Sequence, residues 1–222
     1  MESTSPPNFK LVISQERAYT VKLLRNLKPG QWDFDTLCAG WTIADLMAHI
    51  LVRERGGPLA RAGILIPALR GRTNQAMDNQ KKAGHKAMIE LLAKPPAWVS
   101  VVKYNLVEFF VHNEDIVRSQ LKQSRELSPE IEEALSEMLP GIARLGLRAV
   151  HEPLIVDIID ETTREVIEIR RGQAGDEAPH LRLVGRPGEF ILLFMGRGRQ
   201  AKIAVSGDAA AKEIYRLAAI GL

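Results

Sequence analysis

The sequence has only one cysteine, Cys38, so no disulfide can form within the chain. It also lacks an apolar run of the roughly 20 residues that a helix needs to cross a bilayer. Its first seven residues, 1–7, show neither the basic start nor the apolar stretch of a signal peptide. These absences predict a cytoplasmic protein in a reducing compartment, with no membrane among its partners.

Charge of one sign is not in large excess either, because the formal net charge is only +3. This balance is too mild to indicate nucleic acid as a partner. The positive charge is concentrated between Arg53 and Lys94, where nine basic residues outnumber three acidic ones. Such a segment can steer a small anionic ligand. An ordinary solvated helix face is the alternative interpretation.

The hydrophobic pattern changes along the chain. Helical spacing dominates up to about residue 150, and strand-like alternation of branched residues follows Pro153. The sequence therefore predicts an α+β protein with two domains, a helical bundle at 1–150 and a small α+β domain at 151–222. Nothing in the chain demands an oligomer, so a monomer and a homodimer both remain open.

The predicted elements follow from breaks and caps. Pro29-Gly30 ends the first helix, a capping box from Thr42 to Asp45 opens the second, and Gly56-Gly57-Pro58 ends it. Further helices are predicted at 75–92, 98–121 and 128–150, the last kinked or divided at Pro140-Gly141. The second domain is predicted to contain strands at 154–159, 166–169, 181–184 and 202–205, and helices at 187–195 and 208–219.

Two stretches combine ionisable side chains with apolar neighbours. Glu108 and His112 are four residues apart, which places them on one helix face, and the residues between them are Phe109, Phe110 and Val111. His49 lies in a similarly apolar part of the second helix. Buried carboxylates and imidazoles are costly unless they are paired or coordinate a metal.

Two imidazoles and one carboxylate suit Zn²⁺ and similar divalent metals, and three protein ligands leave positions open for water or substrate. Helices of one bundle commonly supply such interior sites. Spacing alone does not decide the matter, because pairs with the spacing of Glu108 and His112 are also common as hydrogen-bonded core residues.

Residues 38–49, Cys-Ala-Gly-Trp-Thr-Ile-Ala-Asp-Leu-Met-Ala-His, and 108–115, Glu-Phe-Phe-Val-His-Asn-Glu-Asp, resemble two signatures of the mycothiol-dependent maleylpyruvate isomerase N-terminal family, one of the DinB-like metal-binding bundles. The resemblance implies a four- or five-helix bundle with a divalent metal held by His49, Glu108 and His112. It also implies mycothiol as cofactor and an actinobacterial source. More diffuse features, at 185–189 and 196–197, resemble the small α+β (sterol-carrier-like) domain that follows the bundle in these proteins.

Several other residues have two interpretations each. Asp115 either orients His112 or forms a salt bridge. Arg197 and Arg199, between glycines, either bind the carboxylates of a cofactor or substrate or lie exposed in a turn. Cys38 has apolar neighbours and is interpreted as a small buried hydrophobic residue rather than a nucleophile. His85 lies beside Lys82 and Lys86 in the basic third helix and is interpreted as a surface residue, whereas His151 and His180 have nothing at ligand spacing.

Three functions are compatible with these features. The first is a metal-dependent transferase or isomerase that joins a small-molecule thiol to an electrophilic substrate. The second is metal-assisted hydrolysis, which needs a separate general base that no motif supplies. The third is a non-catalytic protein that binds a metal or an apolar ligand.

Overall fold

The structure is a computed structural model that describes residues 6–218 and 220. It confirms the α+β class, because helices form the first part of the chain and a four-stranded sheet lies in the second. The chain divides into two compact units, Met1–Glu126 and Leu127–Leu222. None of the helices in the described ranges is long and apolar enough to span a membrane.

The first unit is helical. Its described α-helices are α1 (Phe9–Arg25), α2 (Ile43–Arg55), α3 (Pro58–Ala62), α4 (Arg70–Lys82), α5 (His85–Ala93) and α6 (Tyr104–Leu121). Short 3-10 helices lie at Pro29–Asp33, Pro67–Leu69 and Ala97–Ser100. The predicted capping box is present at the start of α2, where Thr42 Oγ1 accepts from Asp45 N at 3.2 Å and Asp45 Oδ2 accepts from Thr42 N at 3.1 Å.

The single helix predicted at 75–92 is wrong, because this region forms two helices, α4 and α5. Gly84 separates them with a φ of +89° and a ψ of 159°, a conformation that only glycine adopts readily. The next helix also begins later than predicted. Ala97–Ser100 forms a 3-10 turn after Pro95-Pro96, and α6 starts at Tyr104 rather than near residue 98.

Helix α6 has more buried residues than any other described helix of the first unit and packs against α1. Polar contacts fix the two helices together, because Thr20 donates to Asn113 Oδ1 at 2.8 Å and Asn113 Nδ2 donates to Glu16 Oε2 at 2.9 Å. Arg125, just beyond α6, bonds to both Glu16 and Glu114 at 2.9 Å and 2.6 Å. These buried charges have partners that set the position of α6 along α1.

The second unit contains α7 (Pro129–Gly146), β1 (Leu154–Asp160), β2 (Val166–Arg171), β3 (His180–Gly185), α8 (Pro187–Leu192), β4 (Ala204–Gly207) and α9 (Ala209–Leu217), with a π-helical turn at Leu193–Arg197. The strand order is β2-β1-β3-β4. Strand β1 pairs antiparallel with β2 and parallel with β3, and β4 is antiparallel to β3. The first three predicted strands form, and the last, predicted at 202–205, is shifted to Ala204–Gly207.

Helix α7 belongs to the second compact unit, whereas the sequence pattern puts the domain boundary at 150/151. The reason is packing: α7 lies against α8 and the turn after it, and a Cβ on Gly146 would be only 2.7 Å from the Phe194 side chain. A change of hydrophobic period marks where strands begin, and it carries no information about where a preceding helix packs. Pro140 does not divide α7, which is continuous through it.

Candidate metal centre

The structure brings together the three predicted metal ligands. Helix α2 supplies His49, and α6 supplies Glu108 and His112 from adjacent turns of one face. One ligand atom of each residue lies within 4.8 Å of the others. His49 and His112 are both 8% exposed, so the centre is nearly closed to solvent.

The spacing fits one small cation. His112 Nε2 lies 3.5 Å from Glu108 Oε2. Two ligands of a tetrahedral ion, each about 2.0–2.1 Å from it, are roughly 3.4 Å apart. The His49 and His112 rings meet edge to face, with centroids 5.5 Å apart and planes at 81°. The donor set and this distance are therefore compatible with a divalent transition-metal ion.

Asp115 contacts one of the predicted ligands, His112. Its Oδ2 lies 2.9 Å from His112 Nδ1, and the residue is fully buried. When Nδ1 carries the proton and donates it to this carboxylate, the lone pair of Nε2 is free on the side of Glu108. Arg118, the other partner considered for Asp115, bonds to Glu114 Oε2 at 2.5 Å. The contact between Asp115 and His112 has the geometry of the predicted orienting interaction.

The electrostatics favour a positive charge at this point. Burial raises the pKa of Glu108, but the hydrogen bond and charge of His112, with the charges of Arg53 and His49, lower it to about 2. Burial lowers the pKa of His112, yet its bonds to Asp115, Cys38 and Glu108 leave that pKa well above its usual value. The carboxylates of Glu108 and Asp115, which favour the protonated form of His112, also attract a metal cation.

Cys38 has a contact that sequence reasoning missed. It is half-buried, and its thiol donates to Asp115 Oδ2 at 3.2 Å. Cys38, His112 and Asp115 form a second group of metal-type ligands, again with atoms within 4.8 Å. The two residues of the hydrogen bond are 77 positions apart, so no local pattern indicates it.

Residues 13–99 match the sequence profile of the mycothiol maleylpyruvate isomerase N-terminal domain. This part of the first unit is therefore similar to that family's domain. The match includes His49 and ends before α6, so Glu108 and His112 lie beyond it.

Two solved structures share the fold over most of the chain. One is the mycothiol-dependent maleylpyruvate isomerase, with 14% identity, a TM-score of 0.53, and coverage of 89% of this chain and 91% of that one. The other is a histidine-to-alanine mutant of the mycothiol-dependent maleylpyruvate isomerase, with 12% identity, a TM-score of 0.54 and the same coverage. No curated protein matches the chain.

The remaining predicted site residues, Arg197 and Arg199, lie in the second unit. Arg197 ends the π-helical turn of the second unit, where its Nη1 donates to Met195 O at 2.5 Å. Arg199 is exposed in the turn that follows. Their assignment to cofactor binding stays a prediction.

The other histidines have separate environments. His85 stacks on Trp32 with ring centroids 4.1 Å apart, and His180 Nε2 lies 2.9 Å from Asp157 Oδ2. His151 is exposed. Within the described ranges, none of these three belongs to a group of metal-type ligands.

Proposed function

We propose that this protein is a metal-dependent isomerase that uses mycothiol and acts on a small electrophile with an activated double bond. The observation that carries the proposal is the convergence of His49, Glu108 and His112 in a unit similar to the isomerase family's domain. Three ligands leave a coordination position open, which is typical of catalytic rather than structural sites.

The residues of the chain prepare this site. Glu108 is held ionised, and Asp115 Oδ2 is placed to accept the Nδ1 proton of His112, which would leave Nε2 for a metal ion. A divalent ion bound there, with zinc the best match to the donor set, would supply the charge that favours the thiolate form of a thiol. Arg53, whose Nε is 3.6 Å from Glu108 Oε2, adds a positive charge that favours an anionic substrate.

The reaction itself is reversible addition of the thiol. The thiolate forms a C–S bond to one alkene carbon, and the π-electron pair moves into the conjugated carbonyl group. Rotation about the resulting single bond follows. Loss of the thiolate then restores the double bond in the other geometry, so the thiol is regenerated and no atom is gained or lost.

Metal content tests the first half of the proposal. Protein purified without chelators or a histidine tag should contain about one zinc or similar ion per chain. His112→Ala should contain almost none, because a site with three protein ligands loses most of its metal affinity when one of them is removed. His151→Ala is the matched control, since His151 is exposed and outside the ligand group. Equal metal content in all three proteins would contradict the assignment.

Thiol chemistry tests the second half. Calorimetry should detect mycothiol binding to the metal-loaded protein, and maleylpyruvate should isomerise only when both metal and mycothiol are present. Turnover of simple esters without any thiol would instead favour a hydrolase. A loss of the native fold on metal removal, without any measurable turnover, would favour a structural role.

A further inference from the structure

We propose that Cys38 is a positioning residue that ties together the supports of the two histidine ligands, an inference that rests on the proposed metal centre. Its side chain contacts the residue that orients His112, and its backbone holds the residue whose ring contacts His49. The sequence shows Cys38 only as a loop residue whose neighbours along the chain are apolar.

The first connection runs to α6. Asp115 Oδ2 accepts from the Cys38 thiol at 3.2 Å and lies 2.9 Å from His112 Nδ1, so one oxygen serves both donors. The loop is held at the same point by its backbone, because Leu37 N donates to Asp115 O at 3.2 Å. The loop before α2 is thereby fixed to the helix that carries Glu108 and His112.

The second connection runs to α2. Trp41 N donates to Cys38 O at 3.0 Å in a tight turn that Gly40 permits with a φ of +76°. The Trp41 ring lies against the His49 ring, with centroids 5.0 Å apart and planes at 50°. Helix α2 begins at Ile43, two residues after Trp41. The turn therefore also fixes the position of the start of the helix that carries His49.

Burial gives these contacts their effect. Asp115 is fully buried, and a buried carboxylate keeps its orientation only through its donors. Loss of the thiol donor allows the carboxylate to turn away from His112, and metal ligands tolerate only small misplacements. Cys38 therefore acts on the proposed metal site through Asp115 and through its own contact with His112, and it does not itself need to bind the metal.

Two substitutions separate hydrogen bonding from packing. Cys38→Val fills the space of the thiol without a donor, and Cys38→Ser keeps a donor for Asp115. Ser119→Ala is the matched control, because Ser119 loses a bond to Ile116 O on the same helix without touching Asp115. The full chain is titrated with Zn²⁺ against a chromophoric chelator and loaded with Co²⁺ for visible spectroscopy.

We expect Cys38→Val to bind Zn²⁺ about tenfold more weakly, the lower end of the range for residues that support metal ligands, and to change the Co²⁺ spectrum. Cys38→Ser should recover most of the affinity, and Ser119→Ala should match the original protein. A lowered melting temperature of the metal-free protein would not by itself produce the spectral change.

Three results would overturn the inference. Wild-type affinity and spectrum in Cys38→Val would show that the thiol does not position the ligands. Equal losses in the valine and serine variants would show that the hydrogen bond is not the cause. Failure of the metal centre is recognisable separately, because His112→Ala would then bind Zn²⁺ as the original chain does, and both proposals would fall.

Discussion

Asp115 illustrates how one side chain controls the chemistry of its neighbour. It lies three residues after His112 on α6 and accepts from that ring across a single turn. Because Asp115 is buried, water does not compete for its carboxylate, and this strengthens the hydrogen bond to His112. We therefore expect the proposed metal site to depend on a residue that does not belong to the predicted ligand set.

Replacement of Asp115 by asparagine should weaken metal binding. The amide is neutral and bonds less strongly to the ring N–H, so we expect about a 10- to 100-fold loss of Zn²⁺ affinity in Asp115→Asn. Competition with a chromophoric chelator measures it. Asp157→Asn is the control, because Asp157 is also buried and 2.9 Å from a histidine, His180, in the second unit. An equal loss in both variants would contradict the prediction.

At the scale of whole elements, α2 depends on its first turn to place His49. Thr42 and Asp45 satisfy each other's backbone N–H groups, and Lys81 on α4 bonds to Asp45 Oδ1 at 2.7 Å. Burial raises the pKa of Asp45, but bonds from Lys81 and Thr42 outweigh it and lower that pKa below its usual value. The start of α2 is thus stabilised by the ionised carboxylate.

This stabilisation should depend on pH. In Asp45→Asn the free energy of unfolding should fall by about 1 kcal/mol at pH 7, as for the loss of a helix cap. A lowered folded-state pKa gives stability that is present above the unfolded value near 3.8 and lost as pH falls through the folded pKa. The difference between the two proteins should therefore shrink below about pH 4.

Urea unfolding at several pH values measures this difference. Asp78→Asn is the control, because Asp78 pairs with the same lysine but its side chain is 58% exposed. We expect little change there, since exposed ion pairs contribute little. A difference for Asp45→Asn that grew as the pH fell would contradict the prediction.

The separation of α4 from α5 depends on the backbone of Gly84. No neighbouring atom lies within 4 Å of a Cβ added there, so only the backbone conformation opposes a side chain. Gly84→Ala should lower the free energy of unfolding by about 1–3 kcal/mol because of this strain, as measured by urea denaturation.

Gly71→Ala is the control for Gly84→Ala. Gly71 also has open space around its added Cβ, but it lies within helix α4. Alanine there should leave stability unchanged or raise it by up to about 1 kcal/mol. If both alanine variants were equally stable, the conformation at Gly84 would not be what separates the two helices.

At the scale of the whole molecule, the metal ligands and all three tryptophans, Trp32, Trp41 and Trp98, belong to the first compact unit. Tryptophan fluorescence therefore reports the unfolding of that unit alone. The second unit has its own sheet and helices, and it contributes no tryptophan signal.

Metal should raise the melting temperature seen by tryptophan fluorescence. A ligand at 100 times its Kd stabilises the folded state by about 2.7 kcal/mol, which corresponds to a shift on the order of 10 °C for a unit of this size. Thermal melts with and without Zn²⁺ measure the shift. His112→Ala should show no comparable increase, and an equal shift in that variant would point to binding elsewhere.

The sequence by itself determined the α+β class, the start of α2 and the pairing of Glu108 with His112 on one helix face. These features depend on residues a few positions apart, so spacing and capping chemistry are enough to predict them. The resemblance at 38–49 added His49 to the predicted ligand set, and the match over residues 13–99 agrees with the resemblance.

Only the tertiary structure decided how distant residues meet. The contact of Cys38 with Asp115 joins a loop to a helix 77 positions away, and the packing of α7 against α8 moved a predicted bundle helix into the second unit. The break at Gly84 depended on a backbone conformation that a periodic hydrophobic pattern does not reveal. Local patterns fix which face of an element is apolar, whereas the fold decides what that face meets.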